Sequence, residues 1–139
     1  MQQMIKNPTN TITQDELKLH YFNLPNSDLL KKEFLAAWKI AIRLVGEEFF
    51  DLKTTLEEAT EKDQLQPSHK KILSVVKGEV YAKGETLAFL GILYSFYDSE
   101  EGQRFFLELG YDSFIHALRK ISPTHQAVIA ELVLNYDGW

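Results

Sequence analysis

The sequence predicts an all-α fold, a compact domain of six or seven helices. Three observations lead there. Apolar side chains recur at three- and four-residue steps over long stretches, the spacing of one helix face. Breaks at Pro25, Pro67, Gly110 and Ser122-Pro123 each bring a residue able to cap a new helix. The longest apolar run, LAFLGILYSFY at 87–97, is too short to cross a bilayer and has the length of a buried helix.

The elements follow in order. Residues 1–12 read as an arm, with Asn7-Pro8 and Asn10 favouring turns. Thr13 and Glu16 fit a capping box for a short helix over 14–22, and Pro25 stops it. Asn26 or Ser27 then caps the next helix. From Asp28 to Leu65 the residues Leu30, Phe34, Trp38, Ala41, Val45, Phe49, Leu52, Leu56 and Ala59 trace one continuous stripe. That stripe predicts one long helix, or two sharing a kink at Gly46. Pro67 ends it and Ser68 caps a helix over 69–83, with Ile72, Leu73, Val76 and Val80 on one side and Gly84 as its C-terminal cap. The buried helix over 85–97 comes next. Ser99 caps EEGQRFFLELG, and Gly110 supplies the positive φ that ends it. Asp112 or Ser113 caps FIHALRKI. Ser122-Pro123 starts the last helix, 123–136, whose Val128, Ile129, Leu132, Val133 and Tyr136 share one broad face.

With 139 residues the chain forms one domain, able to bury roughly two thirds of its unfolded surface without a staple. It has no cysteine, which excludes disulfides, thiolate metal sites and cysteine catalysis and suits a reducing, cytoplasmic setting. Fifteen Lys and Arg against twenty Asp and Glu leave a net charge of −5, which disfavours nucleic acid and anionic membranes as partners. The opening MQQMIKNPTNTITQ lacks the apolar core of a signal peptide.

Residues 89–136 resemble an armadillo-type repeat. SEEGQRFFLELG is similar to that family's first helix and glycine corner, DSFIHAL to its second helix, and SPTHQAVIAELVLNY to its third. Asn135 stands at the family's asparagine position, and Glu131 falls where peptide-binding members often carry tryptophan. The resemblance implies a protein-binding scaffold, with Asn135 facing a binding groove.

Candidate chemistry is sparse. Glu16 with His20, and Asp112 with His116, are spaced to put two ligands on one helix face, but a third ligand is missing, so no metal or other cofactor is expected. His69 stands alone. Arg119 and His125 have a spacing similar to the Arg-x(4–6)-His motif of some helical ribonucleases, although Ser122-Pro123 divides them. No phosphate-binding glycine loop or nucleophile elbow occurs. Lys70, Lys71, Lys77 and Lys83 read as a solvated face. The acidic run Glu47, Glu48, Asp51, Glu57, Glu58, Glu61 and Asp63 is either a solvated face or a docking surface for a basic partner. Tyr136 and Trp139 are of the type that anchors interfaces, and Trp139 can equally fold back on its own core. The expectation is a non-catalytic protein-interaction or regulatory module whose partner is another protein, through Glu131, Asn135, Tyr136 and Trp139 or through Glu57 and Glu58. The alternatives are a small helical nuclease using Arg119 and His125, and a small acidic inhibitor of the immunity-protein type.

Overall fold

The computed structural model describes residues 27–139. The arm, the helix expected over 14–22 and the Glu16–His20 pair lie outside the described residues. Within them the protein is mostly helical, with six α-helices and one two-stranded sheet.

Helix α1, Ser27–Val45, buries Phe34, Leu35, Ala37, Trp38, Ala41 and Ile42, the stripe expected from the spacing. It does not continue to Leu65. Gly46 takes φ 118°, its N–H closes on the Ile42 carbonyl at 2.8 Å, and the Glu48 carboxylate fills the place a Cβ would need. The positive φ disfavours any side chain at 46, whereas the exposed Glu48 carboxylate could swing aside; the helix stops there because of the backbone. The chain then makes a 3-10 turn over Glu47–Phe49 and strand β1, Phe50–Leu52. After a loop and a second 3-10 turn, Lys62–Gln64, it returns as β2, Leu65–Pro67. The strands pair antiparallel, with Phe50 opposite Pro67 and Leu52 opposite Leu65.

The expected long helix is therefore corrected to one helix followed by a small sheet. Its apolar residues are nonetheless buried: Phe49, Leu56, Ala59 and also Phe50 and Leu65 are under 10% exposed. The Trp38 indole N–H donates to the Leu65 carbonyl at 2.8 Å inside this core. That bond ties α1 to β2 and satisfies a backbone acceptor that a two-stranded sheet leaves open. The loop holds itself with side-chain bonds. Gln64 Oε1 accepts from the backbone N–H groups of Thr60 and Glu61, and Thr55 Oγ1 accepts from that of Glu58.

Helix α2, His69–Val76, starts as expected at Ser68, whose Oγ accepts from the Lys71 N–H. It is shorter than the expected 69–83 and closes at Gly78, so Val80 is exposed rather than on a buried face. Gly84 opens the next helix instead of capping this one.

Helix α3, Gly84–Tyr97, is the centre of the fold. Residues 88–94 are buried without a break, and α1, α2 and β2 pack around it. Helix α4, Ser99–Glu108, follows; its cap is Asp98 rather than Ser99, through a 3.1 Å bond from the Glu101 N–H. Gly102 of α4 rests against the Ser95 backbone of α3, and Gly91 of α3 lies under the Phe106 ring. Both lack a side chain where two helices touch. Gly110, at φ 80°, makes the expected corner. Helix α5, Phe114–Leu118, is capped by Ser113, and helix α6, Pro123–Leu134, begins at Ser122-Pro123. Helix α6 packs on α1, and Ser27 Oγ donates to Asp137 Oδ2 at 2.9 Å where the two meet. No helix among the described residues is long and apolar enough to cross a membrane.

Candidate protein-docking groove

The last helix carries an imbalance between its sequence and its burial. Of the broad face expected on α6, Ile129 and Leu132 are buried, but Val133 is 57% and Tyr136 44% exposed. Leu134 is 53% exposed as well. An amphipathic surface helix turns polar residues outward; α6 instead sets Ala127, Ala130, Val133 and Leu134 toward solvent. Helix α5 adds Phe114 and Ile115, also exposed.

Phe114, Ala130, Val133, Leu134 and Tyr136 border one groove; Ala127 and Ile115 lie outside its lining. At one end Ile92, Ser95 and Phe96 of α3 and Ser99 of α4 meet Phe114, Val133 and Tyr136 around a cavity of about 340 Å³. At the other end Leu118, Gln126, Ile129, Ala130 and Leu134 surround a second cavity of about 460 Å³, sharing Phe114 and Val133 with the first. The Tyr136 hydroxyl donates to the Phe96 carbonyl at 3.3 Å, and their rings stand 5.5 Å apart, edge to face. Gln126 Nε2 donates to the Leu118 carbonyl at 3.1 Å, joining α6 to α5 at the far end.

The residues singled out from the sequence fall in three places. Tyr136 lines the groove, while Glu131 is exposed on α6 but not in the lining. Asn135 is 6% exposed, and its Nδ2 donates to the Glu131 carbonyl at 2.9 Å, so its amide serves its own helix end. Glu57 and Glu58 sit on the β1–β2 loop outside the groove lining, Glu57 within 3.7 Å of Arg43 and Glu58 accepting from the Thr55 hydroxyl.

Trp139 lies against the protein's own aromatic core, 5.0 Å from Trp38, 5.2 Å from Tyr97 and 6.2 Å from Phe34. Its Nε1 is buried without a hydrogen-bond partner among the described residues. The Lys62 ammonium stands over the Trp139 and Phe34 rings and donates to the Gly138 carbonyl. Burial pushes the Lys62 pKa below its ordinary value; Lys31 adds to that, while Asp63 and Asp137 oppose it.

The three histidines among the described residues are occupied structurally. His125 stacks edge-on against Phe89 at 4.6 Å, with Nδ1 2.8 Å from Ser122 Oγ and 3.8 Å from Glu85. Glu85 in turn accepts from the Ser122 N–H, fastening α3 to the start of α6. Both polar neighbours share one ring nitrogen, which is not the relay of a nucleophile, base and orienting acid. Arg119 is exposed at the end of α5. His116 Nδ1 accepts from the Asp112 N–H, and His69 pairs with Glu101 at 3.4 Å beside Phe105. Among the described residues no three His, Asp or Glu side chains converge as metal ligands.

Sequence reading missed Phe114, Phe96 and Leu134 as site residues. The usable signal was that α6 has apolar residues on more sides than one core can cover. No protein-family model, no curated protein and no solved structure matches this chain. Fold and groove together describe a helical domain with an open apolar surface.

Proposed function

We propose that this protein is a non-catalytic protein-interaction module whose α5–α6 groove receives an apolar segment of another protein. One observation carries the reading: Phe114, Val133, Leu134 and Tyr136 leave a contiguous apolar surface open to water. Exposed patches of that kind, rimmed by polar residues, mark interaction sites. The succession of α4, the Gly110 corner, α5 and α6 supports an armadillo-like unit as the frame. In this reading Tyr136 and Val133 are anchors, Glu131 is a rim contact, and Asn135 shapes the helix end that presents them. Trp139 supports the groove from behind through the core, and Glu57 and Glu58 lie outside it.

The test is quantitative affinity capture with the wild-type chain and with Val133→Asp, followed by titration of each differential protein in purified form. A protein that binds the wild type and loses at least about thirtyfold affinity for Val133→Asp, a cost in the range of an interface hot spot, supports the reading. Identical binding to both removes it.

A further inference from the structure

We infer that the end of the helical bundle carrying the α2–α3 loop is a second contact surface, separate from the groove. It docks reversibly on an anionic lipid bilayer, with Val80 and Tyr81 entering the interface.

The loop, residues 77–83, reads KGEVYAK and leaves its apolar side chains in water. Tyr81 is 86% exposed and Val80 beside it 54%. The start of the loop is fixed to α2. Gly78 turns the chain at φ 80°, and the N–H groups of Glu79 and Val80 donate to the Ser74 carbonyl at 2.8 and 3.4 Å. At its other root the Lys83 carbonyl accepts from the Leu87 N–H at 3.0 Å, where α3 begins. Tyr81 therefore belongs to a short loop held at both roots. The N–H groups of Glu79 and Val80 also need no water when the loop enters an apolar phase.

A net charge of −5 opposes such a contact for the chain as a whole, but the charge is unevenly spread. Lys77 and Lys83 flank the apolar pair. Glu85 of α3 accepts from the Ser122 N–H, and His125 stacks on Phe89, so α3 and α6 start at the same end of the bundle. Arg119 and Lys120, just before Ser122 in the chain, come to that end as well. All four cations are exposed, and none forms an ion pair among the described residues. The carboxylates of these segments are Glu79, in the loop, and Glu85, which is engaged with Ser122 and stands 3.8 Å from His125.

Side-chain chemistry selects the partner. Lysine stems lie along an apolar boundary while their ammonium groups reach the phosphates. Tyrosine favours the same boundary, because its ring is apolar and its hydroxyl stays wet. Each cation held near an anionic leaflet raises partition about fivefold. A single-stranded nucleic acid would meet the charge too, but it is gripped by stacking on successive aromatic faces. Here Tyr81 has an aliphatic neighbour, Val80, which gains by leaving water and offers no ring.

The experiment titrates the full chain at low salt with three probes: vesicles of equal phosphatidylserine and phosphatidylcholine, vesicles of phosphatidylcholine alone, and a single-stranded oligonucleotide. Binding is expected to the mixed vesicles only, and should weaken as salt is raised. Val80→Ser/Tyr81→Ser should lower it at least about fivefold. Lys77→Gln/Lys83→Gln and Arg119→Gln/Lys120→Gln should each lower it about twentyfold. All these side chains are exposed, so thermal melts of the three variants should match the wild type. Val133→Asp, in the groove, should leave vesicle binding unchanged. No binding to the mixed vesicles, equal binding to the neutral ones, or binding that any of the three variants leaves intact overturns the inference. Binding of the oligonucleotide alone would make nucleic acid the partner and also overturns it. Loss of vesicle binding in Val133→Asp would move the contact to the groove, with the same consequence. The docking reading of the groove rests on its own capture test and survives any failure of the loop variants.

Discussion

Tyr94 shows how much one side chain reports on its surroundings. It is 3% exposed, with Tyr97 and Phe105 packed edge-to-face against it. Burial, reinforced by Tyr97, Asp98 and Glu101, raises its phenol pKa to about 12. The folded state then holds the proton where the unfolded chain, titrating near 10, has lost it. Stability should be unaffected by this group below pH 10 and should fall as pH rises from 10 to about 12, by roughly 2 kcal/mol in total. Urea unfolding of the wild type and Tyr94→Phe across that range checks it: the phenylalanine variant should lose measurably less. Trp139 gives a second expectation at this scale. Trp139→Ala removes ring contacts with Trp38, Tyr97 and Phe34 and should cost about 2–4 kcal/mol. Trp139→Phe keeps an aromatic ring and deletes the unpartnered Nε1, so its denaturation midpoint should lie nearer the wild type.

Among the elements, α3 and its contact with α4 set the stability of the fold. Leu90 is fully buried in α3, and Leu90→Ala should cost about 2–5 kcal/mol through lost burial and the cavity left behind. An unchanged midpoint would contradict the central position of α3. Gly102 tests the helix contact itself. A Cβ there would stand 2.8 Å from the Ser95 Cα, a backbone atom that cannot swing aside. Alanine usually stabilises a helix over glycine, yet Gly102→Ala should lower stability, by about 1–3 kcal/mol, because overpacking outweighs propensity. A thermal melt at or above that of the wild type would show that the two helices separate easily.

For the whole molecule, the core and the groove are separable. Val133 is more than half exposed, so Val133→Asp should change the unfolding free energy by no more than about 0.5 kcal/mol while removing binding. Circular dichroism melts beside the capture experiment decide this. A large loss of stability would mean that the groove side of α6 belongs to the core after all. The acidic loop around Glu57 and Glu58 makes a different expectation. Exposed charges act at a distance, so Glu57→Lys/Glu58→Lys should alter the salt dependence of partner association far more than its affinity at high salt.

Burial was legible in the sequence because it depends on composition and local spacing. Phe34, Trp38, Leu56, Ala59 and the run 87–97 were readable as core; all are buried except Leu87 and residues 95–97 at the ends of the run, which are half-buried. Helix starts at Ser68, Ser113 and Ser122-Pro123 and the Gly110 corner were legible too, since capping and positive φ are decided by neighbours along the chain. The conformation of 46–67 was not. A three- and four-residue stripe serves a helix, but the same residues can enter the core from a turn, a strand and a loop. The Trp38–Leu65 bond and the β1–β2 pairing, contacts between residues far apart in sequence, favour the second arrangement. The site divides the same way. The sequence by itself determined that α6 is apolar, that Tyr136 follows it, and that Asn135 stands at its end. Only the tertiary structure decided which of those apolar atoms are covered, because coverage depends on how α1, α3 and α5 surround the helix. It turned Asn135 inward onto its own helix, seated Trp139 on Trp38, and left Val133 and Phe114 facing water across one groove.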